Sequence, residues 1–313
     1  MEAIASRSDA ATKAGFVGKA VSLALWLRAF RIHQWSKNAL VLVPAVLGWH
    51  QVTPRGVGEA VVAMLLLCGV ASLAYCVNDI ADVEADRAHW SKRGRPFASG
   101  ALSIRSGAVL SGLGIPALVI CGVLVSPSIG LWLAVYTSVT LAYSAGLKRV
   151  PLLDTVIIAA LFTIRVVLGT AAAQLLPSPW LLTFSMFFFF SLATAKRHTE
   201  LLRAGQTSSG SIEGRGYNVE DKEVTFAFGI VASVASVLIM VIYLIDDVFP
   251  LSFYARPEWL WAVPVAVFLW VGRIWLLGHR GAMSDDPVVF ALRDRVSLSL
   301  GAVVATAFVL ALL

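Results

Sequence analysis

The sequence predicts an all-α, polytopic membrane protein, and three observations carry that prediction. Of 313 residues, 58% are hydrophobic and only 14% charged, with a mean hydropathy of +0.80. A soluble domain carries roughly 25% charge. The apolar runs are long and rich in Leu, Val and Ala, as spanning helices are, and do not alternate as barrel strands do. Finally, the basic residues fall in every second connection, the pattern that orients helical membrane proteins.

A span needs about 20 apolar residues. The runs place nine, at roughly 36–50, 59–79, 104–126, 129–147, 151–176, 179–197, 224–247, 258–278 and 297–313. The first is short of apolar residues and draws on 20–35. The second contains the run Ala60–Val77. Pro127, Pro151, Pro177 with Pro179, and Pro250 with Pro257 punctuate the later connections. No repeat or low-complexity tract divides the chain, so a single membrane domain over 1–313 is expected. Residues 1–20 are expected to be a flexible tail. They lack an apolar core followed by a small-residue cleavage site, so no cleavable signal peptide is expected. Cys68, Cys76 and Cys121 all lie in apolar runs and read as packed helix residues.

Arg7, Lys13, Lys19, Arg28, Arg31 and Lys37 precede the first span. Further basic groups fall in 80–105, at Lys148-Arg149, in 196–222 and in 273–295, while the intervening connections hold only Arg55 and Arg256. Nine spans with a cytoplasmic N-terminus, in the inner (plasma) membrane, give this alternation. The net charge of +6 is accounted for by topology and anionic lipid, and no nucleic-acid partner is expected.

Asn78, Asp79, Asp82 and Asp86 close the second span. Asn78, Asp82 and Asp86 recur every four residues, so a helix stacks them on one face. Stacked carboxylates repel, and a divalent cation relieves the repulsion. Hard oxygen ligands suit Mg²⁺, which completes its shell with water and substrate phosphates. A basic, Gly-containing loop follows, with Arg87, Lys92 and Arg95. Metal plus cations is what a leaving diphosphate needs. The loops 80–103 and 196–222 are therefore the expected active-site loops.

Other polar residues admit two readings each. Tyr143 is an interfacial anchor or a ligand, and Lys148 a topological charge or a phosphate grip. Asp154 and Arg165, within or near the fifth span, share a helical face, either paired with other buried polar groups or functional. Lys196 and Glu200 have i,i+4 spacing and could pair, yet Lys196, Arg197 and His198 end an aromatic helix and form a cationic cluster suited to phosphate. The loop beyond, which carries Arg203, Arg215, Tyr217 and Asp221, is long and rich in Gly and Ser, as an ordering lid would be. Asp285-Asp286-Pro287 reads as a helix start, or as residues that close over substrate. Trp35 anchors the interface, or Lys37 and Asn38 face a cavity.

Asn78-Asp79-x-x-Asp82-x-x-x-Asp86, with nine spans and the basic loop, resembles the UbiA superfamily of intramembrane prenyltransferases. The resemblance implies a ring of nine helices around a cavity open sideways to lipid, with a cytoplasmic active site and Mg²⁺ held by two acidic motifs. The aromatic prenyltransferases carry Asp-x-x-x-Asp near the end of the sixth helix. Here that place holds Ala195-Lys196-Arg197-His198-Thr199-Glu200. Arg31 to Asn38, Tyr143-Ser-x-x-Leu-Lys148, Lys196-Arg197-x-x-Glu200-Leu and Asp285-Asp286-Pro287 resemble the decaprenyl-phosphate phosphoribosyltransferase branch. That resemblance implies 5-phosphoribosyl diphosphate (PRPP) as donor and a polyprenyl monophosphate as acceptor, in a route to cell-wall arabinan (arabinogalactan). It also allows a homo-oligomer. On it, Asn78, Asp79, Asp82 and Asp86 bind Mg²⁺ and diphosphate, and Arg87, Lys92 and Arg95 steady the diphosphate. Tyr143, Lys148, Lys196 and Arg197 hold the remaining phosphates, and Asp154, Arg165 and Glu200 orient neighbours or bond the ribose. The alternatives are transfer of an isoprenyl group from its diphosphate to an aromatic or other acceptor, and a transporter or lipid carrier whose pathway Asp154 and Arg165 line.

Overall fold

The computed structural model describes residues 23–88, 92–206, 214–250, 253–283, 287–291 and 293–313. Among them the regular structure is helical, with no strand. The expectations for residues 1–20 and for Asp285 and Asp286 lie outside the described residues. The chain is a multi-pass membrane protein. Its long helices are α1 (Pro54–Ala81), α2 (Val83–Ala88) directly after it, α3 (Ile104–Val125), α4 (Pro127–Ala145), α5 (Leu153–Ala172), α6 (Pro179–Gln206), α7 (Lys222–Tyr243), α8 (Ala262–His279) and α9 (Arg295–Leu312). The short α2 aside, each of these except α6 lies in a segment long and apolar enough to cross a membrane, which makes seven such segments among the described residues.

Nine spans were expected, and two differ. Residues 36–50 do not form one apolar helix. Ile32–Leu42 is a 3-10 helix, followed by a five-residue α-helix, Val43–Leu47, with Pro44 in its first turn. His33, Gln34, Ser36, Lys37 and Asn38 leave that stretch too polar for lipid on all sides. The segment 179–197 lies in α6, which is long enough but continues through Lys196, Arg197 and His198 to Gln206. The loop expected from residue 196 is therefore helical for its first eleven residues.

The chain forms two compact units. The first comprises Met1–Ala39 and Met64–Leu141, and includes most of α1, α2, α3 and most of α4. Its core at the motif end is Ala29, Cys76, Phe97 and Leu102, with Trp26 edge-on to Phe97. Ser111 donates to the Leu73 carbonyl at 3.2 Å, a side-chain bond between α3 and α1 where water is excluded.

The second unit comprises Leu40–Ala63 and Ala142–Leu313. Here α5 packs on α6, α6 on α7, and α8 on α6, α7 and α9. Phe189, Leu192, Ala195, Ile274 and Trp275 form a buried cluster. Gly229 lets the Trp275 ring approach, since a Cβ there would stand 2.0 Å from it. The indole N–H then reaches Ser191 Oγ at 2.9 Å, and Ser191 donates to the Gly229 carbonyl at 3.0 Å. Small residues at helix contacts with satisfied hydroxyls are how helices associate in lipid.

Val41 meets α5 by another close approach. A Cβ on Gly169 would lie 1.9 Å from the Val41 carbonyl oxygen, which is backbone and cannot rotate away. Gly169→Ala is expected to destabilise the protein by about 1–3 kcal/mol through overpacking. An unchanged thermal midpoint in detergent would show that this contact opens without cost.

Candidate functional site

Each compact unit carries one polar centre. In the first, the acidic face is built as the spacing predicts. The Asp82 N–H donates to the Asn78 carbonyl at 2.9 Å and the Asp86 N–H to the Asp82 carbonyl at 2.8 Å, so helical bonding runs from α1 into α2. Asn78 Nδ2 donates to Asp82 Oδ2 at 3.2 Å. Asp79 and Asp86 are buried, each only 3% exposed. Two arginines supply their counter-charge. Arg31 Nη2 lies 2.6 Å from Asp79 Oδ1, and Arg95 Nη1 lies 3.2 Å from that oxygen and 2.7 Å from Asp86 Oδ2.

Arg95 reaches this position because its loop is pinned. Phe97, two residues on, is fully buried in the unit's core. A Cβ on Gly107 would stand 2.6 Å from its ring, so α3 opens with a glycine where the ring passes. The Leu102 N–H closes the loop on the Pro96 carbonyl at 2.9 Å, with Gly100 at φ 77 turning the chain between them.

Among the described residues, no three His, Cys, Asp or Glu side chains converge as a metal cluster. The guanidinium of Arg95 instead stands as the cation shared by Asp79 and Asp86. That donor set fits a hard ion held by one or two carboxylates and completed by water and substrate oxygens, the usual Mg²⁺ arrangement.

In the second unit, Asp154 sits in the first turn of α5 with no exposed surface. Because α5 and α6 run antiparallel, the start of one meets the end of the other. Arg197 Nε lies 2.6 Å from Asp154 Oδ2, and Arg197 also pairs with Glu200 one turn on. Arg215 Nη1 stands 3.5 Å from the same Asp154 oxygen and donates to the Tyr143 hydroxyl. Tyr217, buried, donates its hydroxyl to Asp154 Oδ1 at 2.6 Å and accepts the Leu152 N–H at 2.8 Å. Leu152 adopts φ 63, a left-handed conformation costly for a branched side chain, and the Tyr217 bond holds it there. Burial and the adjacent Asp154 carboxylate push the Tyr217 phenol upward, so it remains a donor. Gly216 is required between Arg215 and Tyr217, because a Cβ there would lie 2.1 Å from the Arg149 carbonyl oxygen.

The charges of this centre pair with one another. Asp154 and Glu200 balance Arg197 and Arg215, and Lys196, 4.0 Å from Glu200, adds a further positive charge. Lys148 lies in the 3-10 turn Leu147–Arg149, half-buried.

The remaining predicted residues are placed as follows. Asn38 is buried and donates to Cys68 Sγ at 3.3 Å, while Trp35 donates to Ser72 Oγ at 3.0 Å, so both tether the polar segment to α1. Lys37 is half-buried in that segment and Lys92 in its loop. Arg87 turns to Glu84 and the Ala98 carbonyl, each at 3.0 Å. Arg165 shares the α5 face with Asp154, but Asp154 takes Arg197, Arg215 and Tyr217 instead. Arg165 is buried beside Phe162 and donates to the Leu161 carbonyl at 2.6 Å. Sequence reasoning noticed Arg31, Arg215 and Tyr217 without giving them a place at either centre. The one local signal was a glycine, Gly216, between a cation and an aromatic in a polar loop.

Comparison with known proteins gives a consistent relationship. Residues 39–293 match the sequence model of the UbiA prenyltransferase family. The protein y4nM of Sinorhizobium fredii is 43% identical over 287 residues, which are 92% of this chain and 56% of that protein, so this chain spans little more than half of that relative. A decaprenyl-phosphate phosphoribosyltransferase of Mycolicibacterium smegmatis is 37% identical over 187 residues, 58% of this chain and 59% of that enzyme. A solved UbiA homolog from Archaeoglobus fulgidus, bound to GPP and Mg²⁺, shares the fold at a TM-score of 0.62 and 12% identity, covering 92% of this chain and 98% of that one.

Tyr217→Phe removes one hydroxyl and leaves a buried N–H and a buried carboxylate oxygen each short of a partner. It is expected to cost about 1–3 kcal/mol of stability in denaturant titration. A change below about 0.5 kcal/mol would mean that the loop 214–217 does not hold α5 in place.

Proposed function

The chain belongs to the UbiA prenyltransferase family, and from that premise we propose that it transfers 5-phosphoribose from PRPP to a polyprenyl monophosphate, releasing diphosphate. The observation that carries the proposal is the second polar centre. A second acidic motif would be needed there to hold more metal for a prenyl diphosphate. Arg197 and Arg215 pair with Asp154 instead, with Lys196 beside Glu200, and cations suit a phosphate monoester. Relatives named decaprenyl-phosphate phosphoribosyltransferase, in Mycolicibacterium smegmatis and Corynebacterium glutamicum, support the same reading. The lipid product would feed arabinan synthesis.

The family as a whole supports the broader statement, UbiA-type membrane transferase chemistry. Taken alone, the family match and the GPP and Mg²⁺ bound by the Archaeoglobus fulgidus homolog favour a second reading, transfer of an isoprenyl group from its diphosphate.

In the first reading, Asn78, Asp79, Asp82 and Asp86 receive the diphosphate end of PRPP with Mg²⁺, which when bound neutralises the charge of the leaving diphosphate. Arg95 and Lys92 add positive charge beside it. The bond from ribose C1 to the diphosphate oxygen breaks, and a bond from C1 to a lipid phosphate oxygen forms. That nucleophile is already ionised at neutral pH, so neither centre needs a general base. Positioning and charge neutralisation stabilise an oxocarbenium-like transition state. Displacement from the α-donor gives the β-product.

Purified protein with labelled PRPP, Mg²⁺ and polyprenyl phosphate should yield a labelled lipid and diphosphate. Turnover only with a prenyl diphosphate and an aromatic acceptor would establish the second reading, and no Mg²⁺-dependent turnover with either set would favour a carrier. Asp82→Asn should lower kcat by roughly 10²–10³ with folded protein retained. Full activity at saturating Mg²⁺ would remove the acidic face from the mechanism. Lys196→Ala should raise KM for one substrate roughly 10- to 100-fold, the loss of one charge-assisted hydrogen bond. An unchanged KM for both would leave Lys196 with its Glu200 pairing alone.

A further inference from the structure

Arg31 is a cation that the transfer reaction leaves unexplained, and its geometry is unusual. It adopts φ 49, a left-handed conformation uncommon for a residue with a side chain, at the start of the polar segment before Leu42. Its guanidinium lies over the Tyr75 ring at 4.9 Å and closes on Asp79 Oδ1 at 2.6 Å. Arg95 approaches from the opposite direction in sequence and bridges Asp79 to Asp86. Two fixed cations thus occupy the two most buried carboxylates of the acidic face. The two guanidiniums offset the charges of Asp79 and Asp86.

We propose that Arg31 and Arg95 form a guanidinium latch that makes divalent-cation binding depend on diphosphate. A bare cation meets a nearly neutralised face and must displace an arginine that then has no anion. A diphosphate supplies that anion. The guanidiniums swing from carboxylate to phosphate oxygen, and the freed carboxylates take the cation. Coupling of this kind is reciprocal, so the cation tightens diphosphate binding by the same factor. The latch would keep the site from filling with metal before the donor arrives. The proposal rests on the acidic face taking a cation and a diphosphate, but not on which group the diphosphate carries.

The test is Mn²⁺ binding to the purified full chain, read by electron paramagnetic resonance with and without inorganic diphosphate. Free Mn²⁺–diphosphate complex is subtracted with a protein-free control. In the parent chain, diphosphate should tighten Mn²⁺ binding on the order of tenfold or more. Arg31→Gln and, independently, Arg95→Gln should tighten binding of Mn²⁺ alone and shrink the diphosphate effect several-fold. Arg31→Lys, which keeps the charge, should stay near the parent. Parent-like Mn²⁺ affinity and diphosphate effect in both glutamine variants would overturn the latch while leaving the metal site standing. Mn²⁺ binding unaffected by Asp82→Asn, or absent even with diphosphate, would overturn the metal–diphosphate reading itself and the latch with it.

Discussion

A carboxylate cut off from solvent must be given counter-charge and hydrogen-bond donors, and Asp154 imposes that requirement on the second unit. An isolated charge buried in low dielectric costs several kcal/mol. Asp154 meets the cost with Arg197 from the end of α6 and with Arg215 and Tyr217 from the loop before α7. The start of α5, the end of α6 and residues 214–217 are therefore held at one place by one side chain. Replacing any of the three donors leaves the carboxylate underpaired, so the arrangement is mutually enforced.

The first unit solves the same problem differently. Its carboxylates lie on a helix that continues almost unbroken from α1 into α2, so their spacing is a property of backbone geometry. Their counter-charge comes from outside the helix, on segments 48 residues before Asp79 and 16 after it. Phe97 anchors one of those segments as a core residue would, and the positive φ of Arg31 marks the other as held under strain. Apolar packing places the arginines, and electrostatics decides what they touch.

The two centres differ in electrical character in a way that constrains chemistry. One is acidic with borrowed cations, and the other is cationic around a buried acid.

Much of this was legible in residue order, because the signals are local. Hydropathy marked seven of the spans, since a run of apolar residues declares itself without reference to anything else. The i,i+4 stack of Asn78, Asp82 and Asp86 followed from helical period alone, as did the cationic character of Lys196 and Arg197. The stretch 36–50 misled, because Ile32–Leu42, tethered to α1 by Trp35 and Asn38, need not be apolar all round. What only the tertiary structure decided was who pairs with whom. Asp154 shares a face with Arg165 eleven residues away yet takes Arg197 43 residues on and Tyr217 63 residues on. Coulomb attraction acts through space, and no periodicity of a single helix records which distant element the fold will bring within 3 Å.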